Sequence, residues 1–196
     1  MTRILILMSN TGGGQRASAQ ALQAAFRLRY GDAFTVDIVD LWTEYTPWPL
    51  NRLPKSYKFL ANDTPRLYKL VFEMGEKPEV IVPIMDAVAR FAERDISRAI
   101  HHYRPDLVVS VHPLMQDVPL RVLRRMGRDV PVITVVTDLG TFHPTWFHRG
   151  VALCSVPTEG GYREALRHGL SPRQLRQHGL PIRPEFGRGP RPKADV

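Results

Sequence analysis

The residues whose types suit proton transfer lie where apolar runs give way to polar turns. Asp138 follows the run VITVVT, His112 follows VVSV, and His143 lies in the loop beyond Asp138. A carboxylate or an imidazole can take a proton from a hydroxyl group, so each is a candidate general base. A lone histidine is more often a hydrogen-bonded structural residue, and capping a loop would explain Asp138 equally well.

A glycine-rich turn, TGGGQRAS, follows the first apolar run and is a second candidate. Glycines let a ligand approach the backbone, and the start of a helix offers unpaired N–H groups to an anion. The turn also fits the dinucleotide pattern G-x-G-x-x-A, with Asp40 further along as the acidic partner. Three adjacent glycines meet that pattern almost by accident, so an NAD(P)-binding protein stays a remote alternative.

The segment after the second apolar run mixes aromatic, proline and basic residues. Rings beside cations suit a membrane interface, where they meet anionic headgroups. The alternative is that the tryptophans fold back as a small cluster beneath the loop. The candidates for membrane contact are Trp42, Trp48, Arg52, Lys55 and Tyr57.

Alternating strands and helices must position these residues. The predicted strands are 4–8, 34–41, 106–112, 130–138, 151–157 and a short one within 175–182. The predicted helices are 17–29, 55–75, 79–102, 118–126 and 159–168. This alternation indicates an α/β fold, a Rossmann-like parallel sheet with helices on both faces, which binds ligands at the carboxyl ends of its strands.

Composition excludes several classes of protein. The chain has 196 residues and a net charge of +8, and no apolar run reaches the roughly 20 residues of a membrane-spanning helix. A single cysteine excludes a disulfide scaffold, and His143 and His148 lack a third ligand at a metal-site spacing. The positive charge favours an anionic partner. Because the basic residues are dispersed and no nucleic-acid motif is present, we expect a membrane surface or a phosphorylated ligand rather than nucleic acid.

Five blocks of sequence, in a fixed order, resemble one family. They are MSNTGGGQRASAQALQAAF, DLWTEYTPWPLNRLPKSYKFL, SVHPLMQDVPLRVLR, VVTDLGTFHPTWFH and GLPIRPEF. Together they resemble the N-terminal domain of monogalactosyldiacylglycerol synthases. These are glycosyltransferases of the GT-B class, related to bacterial diacylglycerol glucosyltransferases and more distantly to MurG. The resemblance runs from about Ile4 to Phe186.

The resemblance implies half of an enzyme. In this family the N-terminal domain takes the diacylglycerol acceptor at the membrane, and a C-terminal domain holds the UDP-sugar. The hexose is transferred with inversion and without a metal or other cofactor. We therefore expect an acceptor-binding, membrane-associating domain at 1–186 and a linker or tail at 187–196. The donor domain, and with it UDP-hexose binding, is absent or separately encoded.

The resemblance also implies site residues and a location. The implied substrate-binding residues are Gly12, Gly13, Gly14, Met115, Gln116 and Trp146. The family's loop reads GGGH, but the histidine position is Gln15, whose amide cannot take a proton. Asp138, His112 or His143 then replaces that base, or the chain is an inactive lipid-binding remnant or regulatory domain. Because the chain starts almost directly with its first strand, we expect a bacterial cytoplasmic protein, peripheral on the inner face of a membrane.

Overall fold

The computed structural model describes residues 1–10, 13–52 and 77–187. Within these residues, six strands form one parallel sheet in the order β2-β1-β3-β4-β5-β6. The strands are β1 Thr2–Met8, β2 Phe34–Asp40, β3 Leu107–Ser110, β4 Val132–Val135, β5 Leu153–Val156 and β6 Leu175–Gln177. The expected α/β class, with a Rossmann-like parallel sheet, is confirmed.

Helices connect the strands. The α-helices in the described part of the chain are α1 Gly13–Tyr30, α2 Leu41–Glu44, α3 Pro78–Tyr103, α4 Asp117–Arg125, α5 Glu159–Arg167 and α6 Pro184–Gly187. Short 3-10 helices are Gly31–Ala33, Leu50–Arg52, Pro144–Trp146 and Pro172–Gln174. The helix predicted at 55–75 lies outside the described residues.

The element boundaries differ from the predictions for physical reasons. Helix α1 begins at Gly13 rather than at Ala17, because the low helix propensity of glycine masked its first turn. Strands β3 and β4 are shorter than their apolar runs. Val111 and Val136 are fully buried and lie one residue beyond the ends of these strands, yet each still donates its backbone N–H to a neighbouring strand, so the apolar runs extend past the regular ladder.

Two hydrophobic cores lie on opposite faces of the sheet. Ala19 of α1 packs with Ile4 and Ile6 of β1 on one face. On the other face, α3, α4 and α5 cover the sheet. Their buried contributors to that core include Ala89, Ala92, Ile96, Val118, Val122, Leu123 and Ala165. The sheet is thus held between helices, and its carboxyl edge is left to the connecting loops.

Charged side chains join α3 to α4. Asp86 accepts hydrogen bonds from Arg121 at 3.4 Å and from Arg125 at 2.8 Å, and Arg125 also reaches Glu93 at 3.2 Å. These pairs fix the middle of α3 beside the second half of α4.

Candidate functional site

Asp138 lies in the loop beyond β4, and the indole of Trp146 holds its carboxylate. Trp146 Nε1 donates to Asp138 Oδ2 at 2.7 Å. The Trp146 side chain is completely buried, whereas Asp138 is only half-buried. A rigid donor therefore fixes the orientation of a carboxylate that solvent or a ligand can still reach.

His112 lies just beyond β3 and is 5% exposed. Its Nδ1 accepts the Leu114 N–H at 3.1 Å, so Nε2 carries the proton of the neutral ring. Burial lowers the pKa of His112 to about 3, which keeps the ring neutral at physiological pH. A neutral ring arranged in this way has no lone pair available to take a proton from a substrate.

His143 caps the 3-10 helix that carries Trp146. Its Nδ1 lies 2.7 Å from Thr145 Oγ1 and accepts the Thr145 N–H at 3.3 Å. These contacts tie the ring to the backbone of its own loop. His143 therefore helps to shape the loop that positions Trp146.

The glycine-rich turn leads directly into α1. Gly13 and Gly14 are the first two helical residues, and a Cβ added at Gly14 would meet nothing within 4 Å. Gln15 is half-buried in this first turn. Gly12 lies outside the described residues. A side chain at Gly14 would thus meet no neighbour, so the turn does not need glycine at this position for packing reasons.

Asp40, the acidic partner in the dinucleotide alternative, has a structural role. It is 4% exposed, its Oδ1 accepts the Thr43 N–H, and its Oδ2 accepts from Thr43 Oγ1 and the Asn10 N–H. The carboxylate caps α2 and ties the end of β1 to the end of β2. It is therefore not presented to a ribose, and the geometry gives the NAD(P)-binding alternative no support.

Four sequence-derived site residues need correction, because their side chains are buried. Met115, Gln116 and Trp146 are fully buried, so none of them presents its side chain to a substrate in this conformation. The Gln116 carboxamide has no hydrogen-bond partner among the described residues. Trp42, expected to contact a membrane, is 4% exposed and belongs to the main core.

The membrane-contact candidates divide by exposure. Trp48 is 73% exposed and Arg52 is exposed, as a membrane contact requires. Lys55 and Tyr57 lie outside the described residues. Membrane contact through this segment stays a prediction.

Sequence reasoning missed a pair of side chains and the cleft beside it. His148 Nε2 lies 3.1 Å from Asp117 Oδ1, and both residues line an apolar cleft of about 210 Å³. Burial works against ionisation of Asp117, but hydrogen bonds from His148 and Arg121 outweigh it and lower the pKa of that carboxyl. The two partners are 31 residues apart, so no local spacing could have revealed the pair.

The described residues form neither a metal-binding cluster nor a membrane-spanning helix. No three His, Cys, Asp or Glu side chains gather there as ligands for a metal ion. Within the same ranges, no helix has the length and apolar character needed to cross a membrane.

Comparison with known families settles the family membership. The family model described as monogalactosyldiacylglycerol (MGDG) synthase matches residues 15–182. The match covers most of the chain, including the loops that follow β2, β3, β4 and β5. The chain belongs to the monogalactosyldiacylglycerol synthase family. This confirms the family expected from the five blocks.

Plant relatives match the chain along nearly its whole length. Monogalactosyldiacylglycerol synthase of Spinacia oleracea is 48% identical over 99% of this chain, and monogalactosyldiacylglycerol synthase 1 of Arabidopsis thaliana is 46% identical over 99%. Probable monogalactosyldiacylglycerol synthase 2 of Oryza sativa subsp. indica is 49% identical over 94%. The chain spans 37%, 37% and 40% of the lengths of these three relatives, respectively.

A solved structure shares the fold. The crystal structure of Acinetobacter baumannii MurG matches this chain with a TM-score of 0.52 and 13% sequence identity. The match covers all of this chain and 48% of the MurG chain. At this identity the match concerns the fold, which agrees with the MurG-like GT-B half expected from the sequence.

The expected location is wrong. The relatives from spinach, Nicotiana tabacum and Arabidopsis thaliana are described as chloroplastic plant proteins, not as bacterial cytoplasmic ones. That expectation rested on where the chain begins, and the position of a first strand says nothing about compartment.

Proposed function

We propose that this chain is the acceptor half of an inverting glycosyltransferase that moves galactose from UDP-galactose to diacylglycerol. The observation that carries the proposal is the family match over residues 15–182, which includes the loops at the carboxyl edge of the sheet. In this proposal residues 1–186 bind the acceptor at a membrane, and residues 187–196 lead toward a donor half that holds the UDP-sugar.

Asp138 is the general base in this proposal. Gln15 cannot accept a proton, and the neutral His112 ring presents no free lone pair. His143 Nδ1 is already hydrogen-bonded within its own loop. Asp138, by contrast, is half-buried, and its Oδ2 is fixed by Trp146, so the acceptor hydroxyl can approach the other oxygen. A general base contributes about 10²–10⁴ in rate.

The test joins this chain to the part of the spinach relative that extends beyond the match. The fused enzyme is given UDP-galactose and diacylglycerol vesicles, and galactolipid formation is measured. We expect product from the fusion and none from the 196-residue chain alone. Asp138→Asn keeps an oxygen to accept the Trp146 N–H but loses the base, so kcat falls by about 10²–10⁴. The matched control, Asp106→Asn at the amino edge of the sheet, leaves kcat unchanged.

Two outcomes contradict the proposal in different ways. A soluble, folded fusion without product argues for the second candidate, an inactive lipid-binding domain, which the glutamine at position 15 favours. An active fusion in which Asp138→Asn leaves kcat unchanged contradicts only the assignment of Asp138 as the general base. Introducing Gln15→His in that active fusion then shows whether an imidazole at this position raises the rate.

A further inference from the structure

The apolar cleft lies beside the proposed acceptor site. The first turns of α3 form one wall, and the turn between β3 and α4 and the loop after β4 form the others. Most of its lining is aliphatic or aromatic, including Ile81, Val82, Met85, Pro113, Leu114 and Phe147. Pro113 follows His112 in the sequence, and Phe147 follows Trp146. The cleft is therefore adjacent to the residues at the carboxyl edge of the sheet.

The polar groups at one side of the cleft are already paired with each other. Asp117 Oδ1 is 3.1 Å from His148 Nε2, and Asp117 Oδ2 accepts from Arg121 Nε at 2.7 Å. His148 Nδ1 accepts the Gly150 N–H at 3.0 Å, which leaves the proton of the neutral ring on Nε2, facing Asp117. A ligand in the cleft would have to break these bonds to use either side chain.

The other two polar side chains of the lining also have partners. Thr145 Oγ1 is 2.7 Å from His143 Nδ1. His168 Nε2 lies 3.2 Å from Glu164, and its ring stacks on Phe147 with centroids 5.4 Å apart. A sugar or nucleotide needs unpaired donors and acceptors, whereas hydrocarbon does not. The cleft therefore favours a hydrocarbon occupant.

The helix that forms one wall of the cleft, α3, exposes apolar and basic side chains. Val82, in the lining, is 50% exposed, and Ile84 and Phe91, two helical turns apart on another face of α3, are 43% and 55% exposed. Arg90 and Arg94 are exposed beside them on the same helix. Exposed apolar side chains flanked by arginines suit the interface of a bilayer that carries anionic headgroups. Because Val82 lines the cleft and is half exposed, hydrocarbon from such a bilayer can reach the cleft beside α3.

We propose that this cleft holds part of one acyl chain of the diacylglycerol acceptor, an assignment that rests on the proposed function. A cavity of ~150 Å³ with apolar walls stays dry and accepts a benzene-sized hydrocarbon, so about 210 Å³ accommodates part of one chain. A chain seated between Pro113 and Phe147 brings the attached glycerol toward the edge that carries Asp138. The cleft is thereby a positioning site for the acceptor hydroxyl.

The experiment uses the 196-residue chain with phosphatidylcholine–phosphatidylglycerol vesicles that contain a diacylglycerol with a photoreactive diazirine on one acyl chain. After irradiation, mass spectrometry locates the adducts. We expect them on the lining residues of α3, the β3–α4 turn and Phe147. Val82→Trp narrows the cleft and lowers these adducts roughly tenfold, which corresponds to about 1.4 kcal/mol. Leu28→Trp, at an exposed position on α1 and outside the lining, leaves them unchanged.

The outcomes separate this inference from the function on which it rests. Adducts elsewhere on the domain, with none in the cleft, overturn the acyl site and leave acceptor binding intact. Cleft adducts that Val82→Trp does not reduce also overturn it. Equal cleft labelling by phosphatidylcholine carrying the same diazirine overturns the assignment to the acceptor. A folded chain that diacylglycerol labels nowhere contradicts the proposed function itself.

Discussion

At the carboxyl edge, a buried side chain controls an accessible one. Trp146 has no exposed surface, yet its N–H fixes one oxygen of Asp138, which solvent reaches. A hydrogen bond to a charged group contributes about 1.5–3 kcal/mol, enough to hold the carboxylate in one orientation. The indole therefore acts on the chemistry through Asp138 rather than by touching a substrate.

His112 makes folding stability depend on pH. Burial lowers its pKa to about 3, so below the ordinary value near 6.5 the unfolded chain binds a proton that the folded chain does not. The contribution of His112 to the free energy of unfolding is complete above about pH 6.5. Between that pH and the pKa of the folded protein, the contribution falls by about 1.4 kcal/mol for each pH unit. His112→Asn keeps an acceptor for the Leu114 N–H but does not titrate. We expect the free energy of unfolding of His112→Asn to depend less steeply on pH than that of the wild type.

Denaturant unfolding at about pH 7 and about pH 5 measures the effect, because the linear extrapolation gives the free energy of unfolding at each pH. Carboxylates that titrate in this range affect both proteins alike and cancel in the comparison. Equal slopes for the wild type and His112→Asn would show that the ring is protonated in the folded protein.

Sequence reasoning found the chemical residue types but not their burial. Asp138 and His112 were identified from the ends of apolar runs, and both lie at the carboxyl edge. Trp42 and Trp48 share one aromatic and proline-rich segment, yet Trp42 is 4% exposed and Trp48 is 73% exposed. Trp42 belongs to a core built largely by α3, α4 and α5, far away in the sequence, so no local pattern separates the two.

At the scale of elements, α5 supports the loop that carries the site. A Cβ added at Gly161 would lie 3.0 and 3.1 Å from ring atoms of Phe142, which belongs to the loop between Asp138 and Trp146. A Cβ at the neighbouring Gly160 would make contacts of 3.7 Å and longer. Glycine at position 161 thus permits a close approach between helix and loop that a Cβ would disturb, whereas position 160 has room for a Cβ.

Alanine substitutions at these two glycines should have opposite effects. Gly160→Ala raises the free energy of unfolding by about 0.5–1 kcal/mol, because alanine favours helix and restricts the unfolded chain. Gly161→Ala loses that gain and costs about 1–3 kcal/mol, because Phe142 must move. Denaturant unfolding of both variants checks the signs. Stabilisation by Gly161→Ala would show that Phe142 and its loop can move away from the added methyl group at no cost in stability.

Elements with strong local signals were predicted well, and elements without them were not. The start of α5 at Glu159 agrees with the prediction, because Thr158 caps the helix through its side chain. Three of the four residues of α2 were predicted as loop, and Leu41 was predicted as the end of the second strand. Their cap is Asp40, which also binds Asn10 across the sheet edge, a contact that sequence does not display.

At the scale of the whole molecule, a net charge of +8 and the exposed Trp48 favour an anionic membrane. We expect the chain to sediment with vesicles that contain phosphatidylglycerol and to be released by salt, since ions screen exposed charges. Trp48→Ala weakens binding by about tenfold or more without loss of stability, as full burial of one large apolar side chain contributes about 1.5–3 kcal/mol and 1.4 kcal/mol is tenfold. Leu28→Ala, at a similarly exposed position on α1, is the control.

Vesicle co-sedimentation at low and high salt gives the comparison. Absence from the pellet at every salt concentration argues against membrane association. An equal loss on Leu28→Ala would show that general surface hydrophobicity, rather than the Trp48 segment, makes the contact.

The position of β1 determines how the newly made chain can fold. β1 pairs with β2 on one side and with β3 on the other, and the Arg3 N–H donates to Asp106, 103 residues later. While the ribosome extends the chain, β1 and β2 can join early, but the second edge of β1 has no strand to bind until β3 emerges. Open strand edges promote aggregation, and distant pairings slow folding. β1 thus keeps an open edge until the 103 residues that separate Arg3 from Asp106 have been made.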